Sequence, residues 1–278
     1  MRFAVVGHAE WAHFLEVPAV PRQGEIVEAE DTWTEAAGGG AVAVVQLAKL
    51  AGTATFFTAV GSDEAGRRTA EQLRDRGISV HAAHRDEPQR RAVVFLDADG
   101  ERTISVFRRR LHPNGGDDLP WAELAETDGV YFTGGDLATL RAARAAKVLV
   151  ATPRAREALV KSDVKLDALV RSAGDASEQD APSGWSARLV VSTRGREGGT
   201  WETEDGRSGH FPAVPPPGPV RDAYGAGDSF AAGFTFGLGS GMELAQALRV
   251  GALCGAGNLA GRGPYEGQPT AAVLRERL

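Results

Sequence analysis

The chain has 278 residues, which is enough for one large α/β domain with a sizeable core. Its 31 basic and 37 acidic side chains give a formal charge of −6, and the sequence has no long basic run, so nucleic acid is not expected as the main partner. The single cysteine, Cys254, cannot form an internal disulfide, and we find neither a signal-like N-terminus nor an apolar run of membrane-spanning length. These features predict a cytoplasmic protein with no membrane partner.

The first 80 residues alternate buried strands with helices. Gly38-Gly39-Gly40 precedes an apolar helix, and Ser62 is the expected N-cap of the next helix. The triple glycine has two explanations, a flexible connection or a place where a ligand meets backbone amides. The predicted elements are strands over residues 3–7, 26–33, 53–60 and 78–80, and helices over residues 41–50 and 63–73.

Residues 91–107 form the clearest hairpin, because two apolar strands flank the tight-turn sequence Asp97-Ala98-Asp99-Gly100. Three arginines, Arg108, Arg109 and Arg110, follow it directly. Adjacent arginines usually form a solvated basic face. The alternative is that one of them pairs with a phosphate on the substrate, since guanidinium forks fit phosphate well.

From residue 121 onward, strands and helices alternate strictly. This pattern predicts right-handed βαβ units and a parallel sheet covered on both faces. Ligands of such sheets bind at the carboxyl ends of the strands, where Asp136 and Ser172 fall. The predicted elements are strands over residues 129–133, 148–150, 166–170 and 188–193, helices over 136–146 and 154–160, and an antiparallel edge pair over 200–204 and 209–214.

Gly225-Ala226-Gly227-Asp228 begins an apolar helix, and a further long helix is expected over residues 242–259. Unpaired N–H groups at a helix start carry partial positive charge, and residues without bulk let an anion approach them. Asp228 could accept a hydroxyl proton there while the amides stabilise the charge on a transferred group. The simpler explanation is that Asp228 only favours the first helical turn.

The longer sequence around this motif, with Asp222 six residues before Asp228, resembles the C-terminal signature of the ribokinase-like (PfkB) carbohydrate kinases. That family's motif is Asp-Thr-x-Gly-Ala-Gly-Asp, and this chain departs from it at Ala223. The resemblance runs in order from Phe3 to Pro269. It implies a ribokinase-like three-layer α/β/α fold with a mostly parallel central sheet, in a single domain over residues 1–278. A small β-strand lid would come from about residues 8–37 and 91–110.

The resemblance also implies roles at the phosphoryl-transfer end. Asp228 would be the catalytic base, and Gly225, Ala226 and Gly227 would form the anion hole. The loop after strand 188–193 resembles the family's Thr-x-Gly-x-x-Gly nucleotide loop, whose backbone approaches ATP phosphates. Asn258 resembles a residue of the family's adenine pocket, although a role in capping the end of its helix explains it equally well. The implied ATP-binding residues are Thr193, Gly195, Gly198 and Asn258.

Two metal sites are implied in the same way. Ser172-Ala173-Gly174-Asp175 stands where the family has Asn-x-x-Glu, so Asp175 would help to organise Mg²⁺, although a surface loop would have the same sequence. A monovalent cation such as K⁺ is implied near Asp222.

The acceptor end departs further from the family pattern. Gly38, Gly39 and Gly40 match the signature Gly-Gly-x-Gly-Ala-Asn, with Gly38 at its second position, which implies contacts with the substrate. The family's sugar-binding Asn falls on Val42. Its early Asp falls near Ala12, with Glu10 at the preceding Asn position, so Glu10 would take over part of substrate binding.

These residues predict an ATP-dependent kinase that transfers the γ-phosphoryl group to a hydroxyl of a sugar or sugar-like molecule, with a homodimer through the lid strands as a further expectation. The alternatives are a non-catalytic, regulatory ligand-binding relative, suggested by Val42, Ala12 and Ser172, and a nucleoside kinase. A nicotinamide-dependent dehydrogenase is disfavoured, since no Gly-x-Gly-x-x-Gly follows the first strand. The sequence leaves open which sugar, phosphosugar or nucleoside is the acceptor.

Overall fold

The computed structural model describes residues 1–179 and 185–278, so part of the polar, turn-rich stretch after Asp175 lies outside the described residues. The strands are β1 (Phe3–Val6), β2 (Glu10–Glu16), β3 (Asp31–Ala37), β4 (Thr55–Gly61), β5 (Ser79–Arg85), β6 (Arg91–Leu96), β7 (Arg102–Phe107), β8 (Gly129–Phe132), β9 (Val148–Ala151), β10 (Lys165–Leu166), β11 (Ala168–Ser172), β12 (Ser186–Ala187), β13 (Leu189–Thr193), β14 (Gly199–Thr203) and β15 (Ser208–Phe211). The helices are α1 (Gly39–Ala51), α2 (Glu64–Asp75), α3 (Leu137–Ala143), α4 (Arg156–Val160), α5 (Ala176–Gln179), α6 (Ala226–Gly239), α7 (Leu244–Asn258) and α8 (Ala271–Arg277).

A nine-stranded sheet in the order β15-β14-β13-β11-β9-β8-β1-β4-β5 forms the centre of the molecule. Neighbouring strands from β13 to β5 are parallel. The β14 and β15 strands are antiparallel additions at one edge, as the sequence predicts. The parallel arrangement brings the carboxyl ends of β1, β9, β11 and β13 to the same side of the sheet.

Each face of the sheet is covered by a separate hydrophobic core. Along β1, Phe3 and Val5 pack into the core that contains residues of α1, α6 and α7, whereas Ala4 and Val6 pack into the core that contains residues of α3 and α4. Because successive side chains of a strand point to opposite faces, a strand that is apolar throughout must be covered on both sides. The result is the predicted three-layer α/β/α arrangement.

A second sheet of four strands lies in the order β3-β2-β6-β7. The β2–β3 and β6–β7 pairs are antiparallel, whereas β2 and β6 are parallel. Its strands fall within residues 8–37 and 91–110, the segments from which the lid is expected. All six residues of β7 are exposed, and this strand is an edge of the sheet.

The strand expected over residues 26–33 is wrong in its position. Ile26 is fully exposed, and the strand begins only at Asp31, which pairs with Glu16 of β2. The segment before it has no neighbouring strand against which to bury its side chains. The strand β2 itself falls where the sequence alternates too unevenly to predict it.

The N-cap of α2 is also one residue from its predicted position. Asp63, not Ser62, has the extended backbone of an N-cap, and its Oδ1 accepts from the amide of Gly66 at 3.1 Å. The same oxygen accepts from the amide of Gln89 at 3.1 Å. A carboxylate can serve two donors at once, which explains why Asp63 occupies this place while the hydroxyl of Ser62 donates to the carbonyl of Asp86.

Among the helices of residues 1–179 and 185–278, none is long and apolar enough to cross a lipid bilayer.

Candidate active site

Two cavities meet where the carboxyl ends of the parallel strands face the small sheet. The first, of about 430 Å³, lies between the small sheet and the start of α1. The second, of about 1810 Å³, lies over the ends of β11 and β13 and beside α6 and α7. Five residues line both cavities, which places them at the junction: Arg102, Arg154, Asp175, Gly225 and Asp228.

Asp228 lies in the first turn of α6, and its side chain is 14% exposed. The helix begins at an N-cap, Gly225, whose φ of 80° lies in the left-handed region that glycine adopts without strain. A Cβ at Gly225 would also lie 2.8 Å from Cγ1 of Val42. Both constraints explain why glycine stands at this position, and the first helical residues, Ala226 and Gly227, line the second cavity.

Arg154 joins Asp228 to a buried acid that the sequence did not predict. Its Nη1 lies 3.2 Å from Oδ1 of Asp228, and its Nε donates to Oε1 of Glu178 at 2.8 Å. Glu178 is 3% exposed and also accepts from the amide of Ser172 at 2.7 Å. These contacts fix the guanidinium between two carboxylates, and the charge of Asp228 raises the pKa of Arg154. The one signal in the sequence is the place of Arg154 just beyond the carboxyl end of β9.

The first cavity holds most of the predicted substrate-binding residues. Glu10, Gly38 and Gly39 line it. Gly40 does not, because it packs against the carbonyl of His8 and the ring of Phe56, and a Cβ there would lie 2.7 Å from that carbonyl oxygen. Gly38 donates its amide to the hydroxyl of Tyr224 at 3.0 Å, which ties the start of α1 to the segment before α6.

Glu10 is held in its ionised form at the base of this cavity. Oε1 lies 3.4 Å from Nε2 of His8 and accepts from Nε of Arg90 at 2.6 Å. Burial opposes ionisation, but the hydrogen bond from His8 and the charges beside it lower the pKa of Glu10 to about 2. Burial lowers the pKa of His8, which therefore stays neutral near physiological pH.

Arginines from the small sheet line the same cavity. Arg102 lies on β7, Arg90 precedes β6 and Arg110 follows β7. Of the three consecutive arginines, Arg110 alone lines the cavity, whereas Arg108 and Arg109 are exposed. The solvated face expected from the sequence therefore holds for two of the three.

Val42 and Ala12, the positions at which the chain departs from the expected sugar-binding pattern, are fully buried and line neither cavity. Val42 packs against Gly225, and Ala12 lies in β2 between Glu35 and Ala92.

The second cavity contains the predicted nucleotide loop. Thr193, Gly195 and Gly198 line it together with the start of α6. Asn258 does not line it, because its side chain is fully buried and its Nδ2 donates to the carbonyl of Pro264 at 2.9 Å. Other residues of α7 and the residue after it form that wall: Ala252, Gly255, Ala256 and Leu259.

The two predicted metal-binding acids are in different environments. Asp175 lines both cavities. Asp222 is 1% exposed, and its oxygens accept from the amides of Tyr224 at 2.7 Å and Gly263 at 2.9 Å. Burial raises the pKa of Asp222 against these two hydrogen bonds. Within residues 1–179 and 185–278, no group of three or more His, Cys, Asp or Glu side chains could hold a metal by itself.

The comparison with family models decides the relationship. The model described as pfkB family carbohydrate kinase matches residues 2–170 and 165–271. This chain belongs to the pfkB family. Ribokinase from Arabidopsis thaliana is 32% identical over 128 residues, which are 45% of this chain and 32% of that protein. Fructokinase-1 from Zea mays is 42% identical over 76 residues, which are 26% of this chain and 24% of that protein. The aligned stretches thus span a third or less of these curated relatives.

Solved structures with the same fold match nearly the whole chain. The structure of Arabidopsis thaliana ribokinase complexed with ribose and ATP is 21% identical, with a TM-score of 0.77 over 99% of this chain and 97% of that one. Ribokinase from Giardia lamblia is 17% identical, with a TM-score of 0.79 over 99% and 98%. The nucleoside kinase of Methanocaldococcus jannaschii is 18% identical, with a TM-score of 0.74 over 100% and 98%. These matches confirm the ribokinase-like α/β/α fold and its small lid sheet.

Proposed function

We propose that this protein transfers the γ-phosphoryl group of ATP to a hydroxyl of a sugar or sugar-like small molecule. The observation that carries the proposal is the position of Asp228, at the start of α6 and at the junction of the two cavities. A carboxylate there reaches an acceptor in the first cavity, while the amides beside it reach a nucleotide in the second.

In the proposed reaction, ATP lies in the second cavity with its phosphates towards Gly225, Ala226 and Gly227. The acceptor oxygen forms a bond to the γ-phosphorus as the bond from that phosphorus to the β–γ bridging oxygen breaks. Asp228 takes the hydroxyl proton, and ADP leaves with the electron pair of the broken bond. The amides at the start of α6 stabilise the negative charge that spreads over the transferred group.

Arg154 has a positioning role in this scheme. Its guanidinium fixes Asp228 from one side and is itself fixed by Glu178, so the carboxylate is presented in one orientation. The same positive charge lies beside the path of the phosphoryl group.

Mg²⁺ and a monovalent cation fit the residues present. Asp175, like Asp228, lines both cavities, and Mg²⁺ is usually held by one or two carboxylates together with substrate phosphates. When bound, Mg²⁺ would neutralise phosphate charge. Asp222 would hold a monovalent cation such as K⁺, because its buried carboxylate accepts from two backbone amides and forms no ion pair within residues 1–179 and 185–278.

Replacement of the base tests the proposal. Asp228→Asn should lower turnover, measured as ADP release over a panel of sugars and nucleosides, by about 10²–10⁴-fold. Nucleotide binding should persist, because the amides of α6 are unchanged. Asp118→Asn, at an exposed position, is the matched control. Full activity of the Asp228 variant would remove that residue from the base role.

The same panel separates the alternatives. A non-catalytic, regulatory relative would release no ADP with any acceptor, whereas a nucleoside kinase would act on nucleosides and not on sugars. The first cavity favours sugar-like acceptors, because among the described residues Tyr224 and His8 alone give it aromatic side chains, which leaves little surface on which a base could stack.

A homodimer through the lid sheet is proposed as well. β7 is an edge strand that exposes Ile104, Val106 and Phe107, each by more than 40% of its surface. An exposed apolar edge favours pairing with a second chain. Sedimentation velocity distinguishes a dimer from a monomer directly.

A further inference from the structure

The first cavity carries a local charge opposite to that of the chain. Five arginines line it, against three carboxylates, whereas the whole chain has a formal charge of −6. Burial keeps His8 neutral, so it adds nothing to this balance. A cavity with clustered positive charge and low-dielectric walls concentrates anions. The lining arginines are Arg90, Arg102, Arg110, Arg154 and Arg156.

Most of this charge is already engaged by groups of the protein. Arg90 donates to Glu10 at 2.6 Å. Arg154 is bound between Glu178 and Asp228, and Nη1 of Arg102 donates to the carbonyl of Ala223 at 2.7 Å. These contacts account for the lining acids Glu10 and Asp228.

Arg110 is different. Its Nε is buried and makes no hydrogen bond within the described parts of the chain. Burial, and next the charge of Arg90, lower the pKa of Arg110. Arg110 lines the cavity together with Glu10 and Asp228, and the charges of both acids oppose this lowering of its pKa.

A buried donor without a partner costs free energy, and a buried cation without a counter-ion costs more. Arg110 is partly buried at the cavity wall, and in residues 1–179 and 185–278 its buried Nε has no acceptor and no acid lies within ion-pair distance of it. The cost is relieved when an anion enters the cavity.

We propose that the acceptor carries an anionic group, a phosphate monoester or a carboxylate, which the Arg110 guanidinium binds in the first cavity while the reacting hydroxyl faces Asp228. This rests on the proposed kinase function. Arg102 and Arg90 line the same cavity and add to the positive field. A planar guanidinium offers paired donors that fit either anion, and such charge-assisted bonds are stronger than neutral ones.

The two positions at which the chain departs from the family's sugar-binding pattern agree with this assignment. Val42 and Ala12 are buried in the core, so neither offers a polar group to the hydroxyls of a neutral sugar. The cavity wall therefore contains more charge than neutral hydrogen-bonding side chains.

Matched pairs of acceptors test the proposal. The pairs are D-ribose with D-ribose 5-phosphate, D-fructose with D-fructose 6-phosphate, and D-glucose with D-gluconate, and inorganic phosphate is a probe without a sugar scaffold. Binding is measured by isothermal calorimetry with Mg²⁺ and a non-hydrolysable ATP analogue filling the nucleotide site. Turnover is measured separately as ADP release with ATP.

We expect at least one anionic member to bind more tightly than its neutral partner. Arg110→Gln should weaken that binding on the order of tenfold to a hundredfold, as expected for hydrogen bonds to a charged group. Arg110→Lys keeps the charge without the fork and should weaken it less. Arg109→Gln, the exposed neighbour, is the control and should bind as the unmodified protein does. Phosphorylated and carboxylated members distinguish the two kinds of anion.

The outcomes separate this inference from the kinase proposal. If no acceptor is phosphorylated but Arg110-dependent binding of an anionic member persists, the kinase function fails and the anion site stands. If neutral acceptors are phosphorylated, and no anionic member binds more tightly than its partner, the anion site is overturned and the kinase function stands. Equal loss of neutral and anionic binding in Arg110→Gln also overturns it, as does unchanged anion binding in a folded Arg110→Gln protein.

Discussion

The substitution Gly39→Ala places one methyl group against the reacting end of the site. A Cβ at Gly39 would lie 2.7 Å from Oδ1 of Asp228 and 3.3 Å from Nη1 of Arg154. Close carbon–oxygen contacts in proteins are usually about 3.3 Å or longer. The carboxylate must therefore move by roughly half an ångström, and it can do so because it is the end of a side chain.

This displacement should affect turnover far more than stability. A misplacement of about 1 Å at a reacting group can lower the rate about 100-fold, so half of that corresponds to about tenfold. Gly39 has no left-handed backbone to strain, and alanine is favoured over glycine in a helix by up to about 1 kcal/mol. We therefore expect kcat to fall about tenfold, with a free energy of unfolding that is unchanged or slightly higher.

The assay is ADP release at saturating ATP and acceptor, together with urea unfolding of the same preparations. Gly116→Ala is the matched control, because a Cβ there would meet no heavy atom within 4 Å in the described parts of the chain. Unchanged kcat in Gly39→Ala, with unfolding as in the control, would refute the placement of Asp228 as the base.

Two further substitutions test the backbone at the start of α6 and the partly buried His112. Gly225→Ala should lower the free energy of unfolding by about 1–2 kcal/mol, because Gly225 has a φ of 80° and its new Cβ would lie 2.8 Å from Val42, and urea unfolding measures this. Adding Val42→Ala should recover only the steric part, and equal stability of Gly225→Ala and the unmodified protein would contradict the strain. Burial lowers the pKa of His112 to about 3, below the value of about 6.5 in the unfolded chain. Between about pH 6.5 and pH 3 the unfolded state therefore binds more protons than the folded state. The contribution of neutral His112 to the free energy of unfolding is complete above about pH 6.5 and falls as the pH drops towards 3. Acidification from about pH 6.5 to pH 5 should therefore lower the free energy of unfolding by about 2 kcal/mol less in His112→Asn than in the unmodified protein. His13→Asn, at an exposed position, is the control. A loss that is as large in His112→Asn as in the control would contradict the assignment.

The phosphoryl-transfer end was predictable because its signals are local. Gly225 to Asp228 lie next to one another and begin an apolar helix, and Thr193 to Gly198 follow a buried strand directly. The rule that ligands bind at the carboxyl ends of parallel strands then brings these two segments to one side of the sheet. The same rule does not predict which way a side chain of a helix points. Although neighbouring residues of α7 line the cavity, the side chain of Asn258 points into the protein and donates to the carbonyl of Pro264.

The link from Glu178 through Arg154 to Asp228 was not predictable, because its partners are 24 and 74 residues apart. No periodicity or local motif contains such a pair. The arginines after β7 show a different limit: Arg108, Arg109 and Arg110 are equivalent in the sequence, and only the exit of the strand decides which one faces the cavity. The spacing of residues in the sequence predicts neither kind of contact.

The arrangement of the acceptor cavity couples recognition of the acceptor to the position of the lid sheet. Arg110 and Arg102 belong to the lid, whereas Asp228 and Arg154 belong to the central sheet and α6. An acceptor whose anion binds Arg110 while its hydroxyl faces Asp228 contacts both parts at once. Such a molecule would bind more tightly when the lid sheet and the central part are close together than when they are apart. Only a difference in affinity of this kind can shift a conformational equilibrium. A neutral sugar that contacts the central part alone has no such effect. Selection of the acceptor and exclusion of water from the phosphoryl group would then both depend on Arg110. Hydrolysis of ATP without an acceptor would be slower as a result.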